Sequence, residues 1–438
     1  MNLERQQTNP LENLLNITER FLPLLTVVFF LLGIVMGTSY EPFAYSISGV
    51  IEGFIDSYGF IAPIVIFLIL TPTLIKLFYL GGDSGQGFAF HTIRWFVGAR
   101  ILACIYAVFF TTFLFGFPWF SNSSSVTTAV SDSLQSLGWM LTNSVYFYAI
   151  YLSVIVTFIA RRFDRLARNL AKGVDLIEYL GRMIVPLVPV FMLGIGAYIT
   201  ILPQILTDEL GGDSINSYLG TVRMAGIPID ISTPLGMILL YVLGSLATGV
   251  ACGIWHIGLI IIAKRRMPSF SLRDYFSRYY VRIYPMLWAT SSEALSTPLN
   301  LYLIKTVFPQ IRNEVRQFVV GAGSIFNING TMINVFIMTG MVAAMLDIEI
   351  SFFLLLLSLP IIIMIGYGVP GIPGELVLFG GPIALSIGVS PELTPIFLSL
   401  YLGLQIGLPD SFRTAANSTD ECVTAVILND RFTEKSSS

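Results

Sequence analysis

Long apolar stretches alternate with short polar ones along the first two-thirds of the chain. Crossing a hydrocarbon layer as a helix takes about 20 apolar residues. Such runs lie approximately at Phe21 to Met36, Phe60 to Leu80, Trp95 to Phe115, Leu137 to Ile159, Tyr179 to Ile201 and Thr233 to Ala263. We read them as six membrane spans. Residues 1–20 are polar and mixed in charge, so the reading expects no cleavable signal and a cytoplasmic N-terminus. The Ser/Thr-rich SNSSSVTTAVSDS reads as a plain exposed loop.

Basic residues orient these spans. The loop after the fourth carries Arg161, Arg162, Arg165, Arg168 and Lys172, and the loop after the sixth Lys264, Arg265, Arg266, Arg273 and Arg278. The loop after the third, Pro118 to Asp132, has none, and Thr207 to Ile231 has only Arg223. Basic loops stay cytoplasmic, so both clusters place the N-terminus inside.

From Phe276 onward the chain is equally apolar but repeatedly interrupted. Thr290 to Pro298 is rich in hydroxyls, Asn327 to Thr331 is polar between apolar flanks, and Gly368 to Glu375 holds two prolines and three glycines. The fourth interruption, Asp410 to Glu421, is polar between the runs Ile396 to Leu408 and Val423 to Leu428. Backbone leaves the helix at membrane depth only where protein or a water-filled cavity satisfies its polar groups. The order predicts hairpin tip, broken span, hairpin tip, polar span, a paired arrangement that marks a carrier's binding site near the midplane. The other reading is ordinary loops between short helices.

In a helical projection at about 100° per residue, Asp410, Arg413, Asn417, Glu421 and Thr414 share one stripe roughly 100° wide. Intramembrane charges are costly and point to function. Arg413 offers a planar fork suited to a carboxylate, and the acidic residues around it can hold an ammonium or a metal cation through oxygen.

Composition narrows the classes. Of 438 residues, 55% are hydrophobic and 12% charged, against about 25% charged in soluble domains. A net charge of −3 gives no basic surface for nucleic acid. Cys104, Cys252 and Cys422 are far apart, with no disulfide or metal spacing. His91 and His256 read as isolated, which argues against zinc or haem, and no hydrolytic constellation such as HExxH appears. The reading is therefore not an enzyme, with no tightly bound cofactor. A channel stays open as an alternative.

Four motifs in order resemble the dicarboxylate/amino acid:cation symporter family, which includes the glutamate transporters. ATSSEALSTP is similar to the family's serine-rich first hairpin tip and NINGT to its NMDGT. GIPG is similar to its GVPG in the second hairpin, and DSFRTAANSTDE to its DRFRTMVNVTGD. EYLGRMIVPLVPVFMLGIGAYI resembles its fifth span. That family is itself one of the inverted-repeat carriers from which the paired-interruption rule is drawn.

The resemblance implies an all-α membrane protein of eight transmembrane helices plus two re-entrant hairpins, an elevator carrier in the inner (plasma) membrane, assembled as a homotrimer. Residues 1–20 would be a cytoplasmic N-terminus, 21–263 the six spans with spans 3 and 6 in the transport domain, 276–429 the core transport region and 430–438 a cytoplasmic tail. It implies an acidic amino acid as substrate, with lipid around it. Arg413 would take the side-chain carboxylate, Asp410 the amino group and Asn417 the main-chain carboxylate. Thr331 and Thr414 would assist, with backbone amides near Ser291, Ser292 and Ile372. Sodium ligands would come from Gly323, Asn327, Asn329, Asn417 and Glu421, and from Thr111 or Thr112.

Three departures from the family pattern bear on coupling. Asn329 stands where the family has aspartate, an insertion relative to the family's tip precedes Pro298, and Glu375 adds a carboxylate at the second tip. The expectation is coupling to Na⁺ and/or H⁺, with Glu293 or Glu421 carrying the proton. A C4-dicarboxylate or another amino acid is the alternative substrate.

Overall fold

The computed structural model describes residues 10–47, 82–120, 145–160, 162–171, 220–290, 293–365, 380–390, 392–405 and 408–431, with single positions between 64 and 75, at 142, and between 189 and 201. Expectations at the second span, most of the fifth, Ser291, Ser292, and 368–375 with Ile372 and Glu375 fall outside those residues.

The described chain is mostly helical. Among the described residues, helices α1 (Pro10–Ser39), α2 (Gly82–Phe115), α3 (Val145–Ala160) and the short α4 (Asp164–Ala171) come first. Then come strands β1 (Thr221–Met224) and β2 (Ile227–Asp230), followed by α5 (Pro234–Arg266). Among the described residues, Phe90–Phe115 and Leu235–Arg266 are long and apolar enough to cross a bilayer. Their outward side chains, such as Leu102, Phe113, Val250 and Ile257, stay exposed. A contiguous apolar exterior suits lipid rather than water.

The β-hairpin amends the all-α expectation. Val222, Met224 and Ile229 are buried. Ala225 and Gly226 both take positive φ, 51° and 79°, the backbone that matches a tight hairpin to strand twist. The Ala225 N–H bonds the Leu114 carbonyl at 2.6 Å, tying the hairpin to the end of α2. This local turn chemistry lay inside a segment that polarity alone marked as loop.

Both ends of α5 are readable. Thr233 caps the start by accepting from the Gly236 N–H at 3.1 Å, with Pro234 in the first turn. Lys264, Arg265 and Arg266 close the last turn, where cations favour the helix dipole.

After α5, a π-helical turn at Tyr275–Tyr280 leads into α6 (Val281–Thr290) and α7 (Glu293–Val307). Helices α8 (Asn313–Phe326) and α9 (Asn329–Met345) follow, then α10 (Phe352–Leu357), α11 (Leu359–Ile365), α12 (Gly380–Ser386), α13 (Thr394–Gln405) and α14 (Leu408–Leu428). Helix α14 packs against α5, α6, α7, α8, α9 and α13. It lies between two apolar cores, contributing Ala416 to one and Ala415, Cys422 and Val423 to the other. All of α14 except Leu408 and Phe412 is buried. A helix this polar and this enclosed must have its polar groups answered by its neighbours.

Candidate functional site

The predicted broken span is the centre of the site. Helix α8 stops at Phe326 and α9 starts at Asn329, leaving Asn327 and Ile328 outside helical geometry. A helix break exposes carbonyls on one side and N–H groups on the other. Here side chains from other helices answer both. The Arg100 Nη2 of α2 donates to the Phe326 carbonyl at 2.9 Å. The Asn417 Oδ1 of α14 accepts the N–H groups of Gly330 at 2.7 Å and Thr331 at 3.3 Å. Asn327 Nδ2 in turn donates to the Asn417 carbonyl at 2.7 Å.

This approach needs Gly330. A Cβ there would lie 2.5 Å from the Arg413 carbonyl. Gly323 plays the same part for α8, where a Cβ would sit 2.7 Å from Cγ of Glu421.

The polar stripe of α14 faces this break. Arg413 forms an ion pair with Asp410 one turn earlier and donates through Nη1 to Thr331 Oγ1 at 2.8 Å. Asn417 Nδ2 donates to the same Thr331 Oγ1 at 2.9 Å and to Glu293 Oε1 at 2.8 Å. The structure thus brings together Asp410, Arg413, Thr331, Asn417 and Glu293. Thr414 is buried on the same helix.

Farther along α14, Glu421 Oε2 accepts from Asn300 Nδ2 at 2.8 Å, and Asn300 Oδ1 accepts from Tyr279 Oη at 2.7 Å. Glu421 Oε1, Asn329 Oδ1 and Ser418 Oγ are buried without a hydrogen-bond partner. Hard oxygen donors in such an enclosed place suit Na⁺, and Gly323, Asn327, Asn329 and Glu421 lie around the same break. Thr111 packs its Cγ2 toward Gly340 of α9, and Thr111 Oγ1 and Thr112 Oγ1 are likewise buried and unbonded.

Three residues that sequence reasoning passed over complete the cluster. One is Arg100, whose capping role depends on a helix far away in sequence. The others are His256 and Asp420. His256 is not isolated: its Nδ1 lies 2.5 Å from Asp420 Oδ1 and its Nε2 lies 2.6 Å from Tyr275 Oη. Asp420 Oδ2 also accepts from Trp255 Nε1 at 3.0 Å and from Asn329 Nδ2 at 3.4 Å. One signal was available: Asp420 stands where the motif DRFRTMVNVTGD carries glycine.

Among the described residues, Glu293, Asp410, Asp420 and Glu421 are buried in this cluster together with Arg100, Arg413 and His256.

Residues 221–431 match the sequence model of the Sodium:dicarboxylate symporter family. That region holds α5, the broken span and all of α14.

Proposed function

We propose that this chain, which belongs through residues 221–431 to the Sodium:dicarboxylate symporter family, is a cation-coupled carrier of an acidic amino acid. The family match supports a membrane symporter with Na⁺ as a coupling ion. The finer reading rests on one observation, the Asp410–Arg413 pair facing Thr331 across the helix break.

Each partner of that pair finds a substitute in an acidic amino acid. The substrate's side-chain carboxylate takes the guanidinium fork of Arg413, and its ammonium takes Asp410. Thr331 and Thr414 supply hydroxyls beside them. The amide of Asn417 is committed to Thr331 and Glu293, so capture of a main-chain carboxylate there displaces Glu293. The resemblance adds backbone contacts near Ser291, Ser292 and Ile372 to this proposal.

The buried, unbonded oxygens Glu421 Oε1, Asn329 Oδ1 and Ser418 Oγ support coupling. A cation entering at Gly323, Asn327, Asn329, Asn417 and Glu421 meets such oxygens and stabilises the form that binds an anionic substrate. In this reading α6 with α7, and α11 with α12, are the arms of two re-entrant hairpins around an elevator-type transport domain, and three copies assemble through the other spans. Both chain termini face the cytoplasm of the inner (plasma) membrane.

A C4-dicarboxylate is the second reading, favoured by the family's description and disfavoured by Asp410, which it would leave without an ammonium. Thermal stabilisation of the purified protein by aspartate, glutamate, succinate and serine, each with and without Na⁺, decides between them. A ligand raises stability only through the folded state it binds. Aspartate or glutamate stabilising more than succinate supports the reading; succinate alone stabilising overturns it.

A further inference from the structure

The charge missing at Asn329 is not missing from its surroundings. Asp420 brings a carboxylate to 3.4 Å from the Asn329 amide and presents its other oxygen to His256. We propose that His256 is the binding site of a coupled proton, its imidazolium standing as the counter-charge of Asp420 in the place of a metal cation. This rests on the carrier reading above and names its proton site.

In this proposal Nδ1 donates to Asp420 Oδ1 in both states. The proton that comes and goes is on Nε2. In neutral His256, Nε2 accepts the Tyr275 hydroxyl; when Nε2 is protonated it donates to the same oxygen, and the Tyr275 hydroxyl turns away. No bond between heavy atoms forms or breaks, and the contact of 2.6 Å serves both states.

The neighbours of His256 leave it this task. On α14, Glu421 and Cys422 adjoin Asp420, and Arg413 lies two turns earlier, paired with Asp410. The π-helical turn contributes Tyr275 and Tyr280, whose ring centres lie 5.8 and 5.9 Å from that of His256, and Tyr279, bonded to Asn300. Tyr284 of α6 stacks on Tyr280, Tyr106 of α2 bonds the Ala251 carbonyl, and Cys252 is one turn back on α5. At the break between α8 and α9, the Asn329 amide donates to Asp420 and to Asn327. Among the described residues, His256 is the basic side chain bonded to Asp420.

The pair also joins two helices of the site. Burial of His256 and Asp420 keeps water from sharing the proton, so gain or loss of the charge acts on the α5–α14 contact beside Asn329 and Gly330.

Proteoliposomes report uptake and proton movement separately. With the wild type, substrate uptake should carry protons inward, read as acidification of a pH-sensitive dye in the lumen. His256→Gln should lose substrate-linked acidification while aspartate still stabilises the purified protein. His256→Lys, with its charge fixed, should lose the pH dependence of uptake. Wild-type uptake without acidification, or His256→Gln moving protons at the wild-type ratio to substrate, overturns the proposal and leaves the carrier reading standing. Failure of the wild type to take up any of these substrates overturns both. If neither variant folds, Tyr275→Phe, which removes only the partner of Nε2, should shift the pH dependence of uptake, and an unshifted profile overturns the proposal.

Discussion

Arg100 of α2 caps α8 from outside, its Nη2 donating to the Phe326 carbonyl at 2.9 Å. The contact ends the helix at the point where the site needs open backbone, and it brings a cation to a cluster rich in carboxylates. A buried hydrogen bond from a charged group is worth about 1.5–3 kcal/mol. Arg100→Gln should therefore destabilise the protein by about 2–3 kcal/mol, with Arg100→Lys recovering part of it. Thermal unfolding in detergent measures this, and an unchanged melting temperature for Arg100→Gln would count against the capping role.

Asn417 answers two N–H groups and touches two further side chains. Asn417→Ala leaves the Gly330 and Thr331 N–H groups buried without partners, at about 1–3 kcal/mol each. The expected result is lowered stability together with loss of uptake. Retention of full uptake would separate Asn417 from the site.

Gly323 lies so close to Glu421 that a Cβ would crowd its Cγ, Oε1 and Cδ at 2.7–2.9 Å. Gly323→Ala should push the carboxylate aside and raise the Na⁺ concentration needed for half-maximal uptake. Substrate affinity at saturating Na⁺ should change little. An unaltered Na⁺ requirement would remove Glu421 from the cation site.

At the end of β2, Asp230 Oδ1 accepts from the Ser232 hydroxyl at 2.6 Å and its N–H at 3.1 Å. These bonds hold the Asp230 carboxyl below the usual carboxylate range. Its contribution is present above the ordinary carboxylate value and is lost as pH falls through the lowered one. Hydrogen exchange at the Ser232 amide should accelerate only in that acidic window, relative to neighbouring amides, and Asp230→Asn should abolish the transition. A neutral-pH transition would contradict this assignment.

Much of the architecture was legible in residue order because its causes are local. Runs of apolar residues mark α5 and the apolar part of α2, and Asn and Gly at 327–330 mark the helix break. The spacing of Asp410, Arg413, Asn417 and Glu421 marks one face of α14. What the sequence hid depends on contacts between distant segments. Arg100 reads as one charge inside a span until Phe326 is beside it, and His256 reads as isolated until α5 meets α14. The hairpin at Ala225–Gly226 was obscured for another reason: its signal is backbone torsion at two residues, inside a stretch without strong periodicity.

The carrier should accumulate an acidic amino acid at the expense of a cation gradient. The most direct measurement is uptake of radiolabelled aspartate and glutamate into proteoliposomes, with inward Na⁺ and H⁺ gradients imposed separately and together. Saturable uptake above the external concentration is expected when the combined gradient is imposed, lost when the gradients are dissipated and lost in Arg413→Lys, which keeps the charge but not the fork. Uptake that only equilibrates across the membrane whatever the gradients, or undiminished aspartate uptake by Arg413→Lys, would contradict it.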